Sequence, residues 1–518
     1  MIVIIFNKPE FEYDVHSLMK AFYPKEDMEM YYTLEDVSEE EHVACTHRKL
    51  DLTQPEIKES VDNALGILDV NYDMEAGNVT LTWLAKEAEN AYVSNLSVDP
   101  DNRIQTKNTL KKELYHLLET VTGEQLPWGT LTGIRPTKIP MKLMEEGKSE
   151  EEIFQYMKET YFASDEKIHL AMDIAKRERA LLSKIDYENG YSLYVGIPFC
   201  PSTCLYCSFT SYPLAVWSKH VDAYLDALDK EIDFTAEKFR HKKLNSIYIG
   251  GGTPTTLNPE QMDRLITKIK SSFDLSDCVE FTVEAGRPDS ITRDKLAVLR
   301  KHDISRISIN PQTMKQETLD LIGRRHTTEE IKESFRIARE LGFDNINMDL
   351  ILGLPQEDIN DVRNTMEELK AMDPDNITIH SLAIKRAAKL NIFKDHYKDM
   401  QMINTQEHMD LCADICKEMG LKPYYLYRQK GMAGNMENVG YAKEGKAGVY
   451  NILIMEEKQT IMALGAGATT KFVLPELNPD GSNRIERVEN VKDVKNYLER
   501  TEEMIERKIR KMEEIGWH

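Results

Sequence analysis

At 518 residues, with 88 Asp and Glu against 66 Lys and Arg and a formal charge of -22, the chain is long enough for about two to four domains and a large core without disulfide staples. The acidic balance argues against a general nucleic-acid binder, whose affinity depends on neutralising phosphates. Seven cysteines without framework spacing and 24 methionines point to a reducing compartment, which makes the cytoplasm the expected location.

The chain opens on Met1-Ile2-Val3-Ile4-Ile5-Phe6, which lacks a basic start and soon meets Asn7-Lys8-Pro9-Glu10. A strand is expected there and not a signal peptide. No apolar run approaches the roughly 18 residues of a spanning helix, so a soluble protein without a transmembrane segment is expected. Apolar and polar residues alternate over 78–84, a strand signal, and helical periodicity runs over 106–120 and 163–185. Residues 1–185 therefore read as an accessory α+β domain with a helical connection. Within it, the Gly/Pro-rich stretch 127–138 carries Arg135 and Lys138, either as a surface connection or as a loop reaching an anionic ligand.

From about Tyr191 short β-branched runs alternate with amphipathic stretches. Strands are expected at 193–197, 246–250, 279–283, 306–309, 346–351 and 376–380, and helices near 218–240, 259–273, 290–302, 327–341 and 358–372. Strands alternating with helices of that length mean βαβ units and a parallel sheet, and six such repeats over 186–390 give an α/β fold, an open TIM-like (β/α)6 partial barrel. Beyond it, 391–518 reads as a C-terminal helical and β extension that completes the site. In that extension a helix is expected at 405–419, strands at 448–454 and 459–464, and a charged helix at 491–514.

Three cysteines, Cys200, Cys204 and Cys207, lie in Gly196-Ile197-Pro198-Phe199-Cys200-Pro201-Ser202-Thr203-Cys204-Leu205-Tyr206-Cys207. Three thiolates in one loop can hold three irons of a cubane cluster and leave the fourth iron without a protein ligand. A structural zinc site needs a fourth ligand, and no His or Cys occurs in the next dozen residues. Other polar or glycine positions fall at or just past successive expected strand ends: Gly251 and Gly252, Glu284, and Gln312. In barrels of this type the carboxyl ends of the strands carry the active site, so these groups are expected to converge.

The Cys-x3-Cys-x2-Cys loop after a strand, with Pro198 and Pro201, resembles the signature of radical S-adenosylmethionine (SAM) enzymes. Tyr194-Val195-Gly196, Gly250-Gly251-Gly252-Thr253-Pro254-Thr255, Thr282-Val283-Glu284-Ala285, Pro311-Gln312-Thr313, Gly323-Arg324-Arg325-His326 and Asn347-Met348-Asp349-Leu350 occur in the order found in oxygen-independent coproporphyrinogen III oxidases. That resemblance is close over residues 191–388. The whole chain, with Tyr427-Arg428-Gln429-Lys430 and Asn438-Val439-Gly440-Tyr441, is most similar to the HemZ-type coproporphyrinogen dehydrogenases.

The resemblance implies a [4Fe-4S] cluster on Cys200, Cys204 and Cys207, with SAM chelating the open iron. By the same resemblance Tyr194 lies beside the cluster and adenosyl group, and Gly250, Gly251 and Gly252, followed by Thr253, let the backbone approach the methionyl part. Glu284, Gln312 and Asp349 contact ribose and methionyl groups, Arg324 pairs with the SAM carboxylate, and the backbone of Ala383 meets the adenine. No catalytic side chain is implied beyond the cluster and SAM. The implied reaction turns coproporphyrinogen III into protoporphyrinogen IX by two oxidative decarboxylations, with electrons from a flavodoxin or ferredoxin.

A tetra-anionic tetrapyrrole calls for cations, and Lys385, Arg386, Lys389, Arg428, Lys430, Arg135 and Lys138 are candidates. The oxidase branch carries a further cysteine where this chain has Phe209; the HemW-type haem chaperones also have phenylalanine there. Their His-Asn-x-x-Tyr-Trp motif is here Glu437-Asn438-Val439-Gly440-Tyr441-Ala442. The alternatives are thus a haem-binding transfer protein, or radical chemistry on another tetrapyrrole. Cys412 and Cys416 share a helix face, as core thiols or as auxiliary cluster ligands, and Cys45 and Cys278 are expected to be buried thiols.

Overall fold

The computed structural model describes residues 1–517 other than 34–47, 89, 134, 386–387, 393–399, 430–431, 433–435 and 479–481. Its contacts divide into two compact units, Met1–Met172 and Asp173–His518, with the division falling inside the helix Asp165–Leu182.

In the first unit the expected opening strand is β1 (Ile2–Phe6). It pairs in parallel with β2 (Met28–Tyr32) and β4 (Gly66–Asp73), while β3 (Arg48–Lys49) extends β2, and β5 (Asn78–Ala85) and β6 (Tyr92–Ser97) continue antiparallel from β4. The period-two rule assigns the two faces. Ile2, Ile4 and Phe6 bury with Leu68, Val70 and Leu81 under the helices Glu12–Phe22 and Arg103–Thr122. On the opposite face Val3 meets Ile57 of the helix Pro55–Asp62. In the 127–138 stretch Trp128 is buried and Gly129 has a φ of +53°, while Arg135 and Lys138 are half-buried.

The second unit is built on β7 (Gly190–Ile197), β10 (Lys243–Gly251), β11 (Glu280–Gly286), β12 (Arg306–Ile309), β13 (Ile346–Leu352) and β14 (Asn376–Ser381), the six expected strands, all parallel to their neighbours. Between β7 and β10 the short β8 (Phe199–Cys200) and β9 (Tyr212–Pro213) pair with each other in a separate two-stranded sheet. The crossover helices Val221–Phe239, Pro259–Ser272, Arg293–Lys301, Thr328–Glu340 and Ile359–Met372 fall where periodicity placed them. Their starts are local chemistry: Asn258, Thr327 and Asp358 each accept from the backbone three residues on, and Gln261, Glu330 and Asp361 reach back in capping boxes.

What the sequence did not order is the flanks. Residues beyond 390 belong to the same compact unit as the barrel and to the same sheet, whose order is β15-β16-β14-β13-β12-β11-β10-β7-β17-β18-β19 among the described residues. Here β15 (Lys422–Tyr427) and β16 (Asn438–Ala442) extend β14 antiparallel, whereas β17 (Thr460–Leu464) lies parallel to β7, and β18 (Thr469–Leu477) and β19 (Asn483–Glu489) finish the other edge.

Two expectations are corrected. The apolar run 448–454 is not a strand: Val449–Glu456 is a helix. Buried Glu280, far away in sequence, caps it by accepting from the backbone N–H of Val449 at 2.5 Å and of Tyr450 at 3.3 Å. The charged C-terminal helix is two, Val494–Glu499 and Thr501–Glu514, broken at Arg500, so that Tyr497 and Lys508 both reach Glu231.

Candidate active site

Because the barrel strands run in parallel, every turn that follows one opens on the same end, and these turns line a cavity of about 1190 Å³, part of it open to solvent. Cys200, Cys204 and Cys207 line it together with Gly251, Gly252, Thr253, Glu284, Gln312, Arg324, Asp349, Ala383 and Lys385. Residues from six strand ends, spread over 186 positions from Cys200 to Lys385, are thus gathered at one mouth.

The cysteine loop is pinned on several sides. Leu205 N–H donates to Ile322 O at 2.9 Å, Ser202 Oγ to Gly323 O at 2.9 Å, and Cys207 N–H to Cys204 O at 3.2 Å. Thr253 Oγ1 lies 3.5 Å from Cys200 Sγ. Burial pushes the Cys200 thiol up to about 11, against that hydrogen bond, and raises Cys207 as well. Thiols so placed give up their protons to a metal centre and not to solvent. Among the described residues no three His, Cys, Asp or Glu groups converge on a single-ion site; a cubane, which offers a separate iron to each thiolate, does not require such convergence.

The glycines divide by role. Gly251 has a φ of +104°, which disfavours any side chain. A Cβ on Gly252 would come within 2.6 Å of Phe199 O and 3.0 Å of Cys200 Sγ. Gly250, expected to approach a cofactor, does not line the cavity: a Cβ there would press on Tyr248 at 2.6 Å and on the Glu284 carboxyl at 3.1 Å, so it leaves room for Glu284.

Tyr194 also lies off the main cavity. It borders a second one of about 810 Å³, also partly open to solvent and lined further by Phe209, Gly251, Ala466 and Gly467, and stacks on Tyr248 and Tyr450 with centroids 6.3 and 6.4 Å away.

Buried acids occupy the cavity wall. Burial raises Glu284 to about 7 even though the Tyr248 hydroxyl donates to it. Burial also acts to raise Asp349, but His380, 3.9 Å away, and a hydrogen bond from Asn347 at 2.7 Å outweigh it and hold the carboxyl below its usual value. The two acids are therefore pushed in opposite directions, Glu284 upward and Asp349 downward. Gln312 has a φ of +68°, held by a one-residue bridge to β13 in which its N–H donates to Asp349 O at 2.9 Å and its carbonyl accepts from Ile351 N–H at 3.0 Å. Its side-chain Oε1 is buried without a protein partner, as is Nε of Arg324. Orphaned polar atoms lining a cavity are what a polar ligand satisfies.

A Glu284→Gln variant gives a signed test. Between pH 4.5 and about 7 the folded protein holds the Glu284 proton that the unfolded chain releases. Stability is thus lost as pH rises through this window, by about 3 kcal/mol once the group must ionise in place. Gln carries no such cost. The advantage of E284Q in unfolding midpoint should grow from pH 4 to pH 8; the same difference at both would contradict the buried-acid assignment.

Of the candidate cations, Lys385 lies on the cavity, its Nζ 5.9 Å from the ring centroid of Phe209, which is 70% exposed. Arg428 is corrected: it is 4% exposed, does not line the cavity, and its charge faces Glu437. Burial just past the end of β15 turned a residue read as a candidate substrate cation inward. Arg386, Lys430 and Cys45 lie outside the described residues. Lys389 is exposed and off the cavity, and Cys412 and Cys416 are buried in the helix Gln406–Glu418. Cys278 is only half-buried.

Three cavity residues escaped sequence reasoning: Tyr206, which accepts from Arg324 Nη2 at 3.2 Å; His380, 3.9 Å from Asp349; and Arg287, next to Cys204. The signal for Arg287 was its position, in the turn directly after the third barrel strand.

Comparison with known proteins gives the family. Residues 194–369 match the Radical SAM superfamily. The heme chaperone HemW of Bacillus subtilis is 38% identical over 198 residues, 38% of this chain and 51% of that protein. The oxygen-independent coproporphyrinogen III oxidase of Salmonella typhimurium is 32% identical over 227 residues, 44% of this chain and 49% of that protein, so the chain matches about half the length of each. The oxygen-independent coproporphyrinogen-III oxidase-like protein HemZ of Bacillus subtilis is 42% identical over 434 residues, 83% of this chain and 86% of that protein. With alignment over more than four fifths of both chains at that identity, and with the cysteine loop and strand-end residues gathered on one barrel mouth, the chain belongs to the radical SAM family of coproporphyrinogen III oxidase-like proteins, in its HemZ branch.

Proposed function

We propose that this chain is a radical SAM enzyme that carries out the oxygen-independent oxidative decarboxylation of coproporphyrinogen III to protoporphyrinogen IX. The observation that carries the reading is the meeting, in one cavity, of three thiols from a single loop with a glycine-backed turn, unpartnered polar atoms and the carboxyls of Glu284 and Asp349. Cys200, Cys204 and Cys207 would hold a [4Fe-4S] cluster, and Gly251, Gly252, Thr253, Glu284, Gln312, Arg324, Asp349 and Ala383 would seat SAM. Bound together, the two cofactors supply one-electron cleavage of a sulfonium to a carbon radical that takes hydrogen from a substrate. The chain's own work is to exclude water, orient the propionate and offset charge. Lys385 at the mouth is suited to a propionate, and a flavodoxin or ferredoxin would deliver electrons.

Phe209 favours a second reading. It is an exposed aromatic at the cavity mouth, standing where the oxidase branch has a cysteine, and one relative is named a heme chaperone. In that reading the site retains a cluster but passes haem on. Anaerobic incubation of cluster-loaded protein with SAM, a low-potential reductant and coproporphyrinogen III separates the two. Decarboxylation with appearance of vinyl groups supports the enzyme; stable haem binding with 5'-deoxyadenosine but no vinyl product overturns it.

A further inference from the structure

Arg287 is unlike the other cations of the cavity. It follows β11 directly, is 3% exposed, and has every nitrogen engaged. Nε and Nη2 hold the Asp289 carboxylate at 3.0 and 2.6 Å. Nη1 points into the cysteine loop, donating to Ser202 O and Oγ at 2.9 Å each and to Cys204 Sγ at 3.7 Å. Ser202 Oγ accepts from Arg287 while donating to Gly323 O, so the guanidinium, the loop and the segment before Arg324 form one connected set. Arg324 also acts on Cys204 electrostatically, but its Nη atoms are turned to Asn310 O and Tyr206 OH.

We propose that Arg287 is a positioning residue that sets the reduction potential of the cluster, keeping it more positive than the three-cysteine loop alone would. The inference rests on the reading that Cys200, Cys204 and Cys207 hold an iron–sulfur cluster. Reduction adds one electron from a low-potential donor and makes the cluster more negative. Hydrogen bonds to ligand sulfurs and nearby cations stabilise that added charge, which is how proteins move cluster potentials. Burial matters because a guanidinium screened by water would act weakly, whereas this one sits where the effective dielectric is low. Asp289 offsets part of the charge, so the pair is a graded control: removing the arginine and neutralising the aspartate have opposite effects.

That sign reversal is the test. Full-length protein is reconstituted anaerobically as wild type, Arg287→Met, Arg287→Lys and Asp289→Asn, its iron and sulfide are assayed, and its midpoint potential is read by EPR-monitored titration. R287M should shift the reduction equilibrium at least about tenfold toward the oxidised cluster, about 59 mV more negative for one electron. R287K should shift it less, and D289N should shift it toward the reduced form. A purely structural role would loosen the loop in R287M and D289N alike and move both the same way, or neither. Either result, or R287M within about twofold of wild type on the same scale, overturns the proposal. Should R287M lose its iron, R287K and D289N decide by the same signs. Wild-type protein without a cluster defeats the cluster reading itself, and with it this proposal.

Discussion

Cys204→Ala should leave a folded protein that binds no cubane and releases no 5'-deoxyadenosine. Cys204 is 8% exposed in the middle of the loop, and its neighbours, not its sulfur, hold the backbone: Leu205 is tied to Ile322 and Ser202 to Gly323. Truncating one small buried side chain costs about 1–2 kcal/mol, too little to unfold a unit of this size. The chemical loss is far larger, since two remaining thiolates leave an iron of the cluster without its protein ligand. Iron content, the broad visible absorbance of the anaerobic protein and chromatographic assay of SAM cleavage together check the expectation. If cluster absorbance and cleavage both persist, the ligand assignment is wrong.

Glu231→Ala should produce the largest loss of stability. Glu231 and Lys508 form an ion pair at 2.5 Å with both side chains 0% exposed. The carboxylate also accepts from Gly465 N–H at 2.8 Å, Asn490 Nδ2 at 2.9 Å and Tyr497 OH at 2.6 Å, and Lys508 Nζ donates to Ala463 O at 2.9 Å. Alanine strands a buried ammonium, and breaking one side of such a pair costs about 3–5 kcal/mol. Replacing both charges, with Glu231→Gln and Lys508→Met, should recover much of that, because desolvation of the pair offsets most of its attraction. Denaturant unfolding measures both. The network also fixes Gly465, next to Ala466 and Gly467 on the second cavity. Equal stability of wild type and E231A would show that Lys508 finds another partner.

The sequence reading found most of the residues that the fold gathers at one mouth, and little of what surrounds them. The cysteine spacing and the strand-end positions of Glu284 and Gln312 were readable because in a parallel α/β sheet each strand end is local while the convergence of strand ends is imposed by topology; Asp349, inside β13, was reached through the resemblance alone. Reading failed where a contact from far along the chain decides a local matter. Residues 448–454 have strand composition, yet a carboxylate from β11 caps them as a helix. Gly250 looked like its two neighbours, but only packing reveals that it clears space for Glu284.

By itself the amino-acid sequence determined the βαβ rhythm, the helix starts written in capping boxes, and the trio of thiols, since these depend on residues a few positions apart. Only tertiary structure decided that β17 docks beside β7, that Arg428 turns inward while Lys385 stays at the mouth, and that Arg287 reaches Cys204. Burial and pairing of charge are properties of the assembled interior, where desolvation and a partner from a distant segment together fix which way a long side chain points.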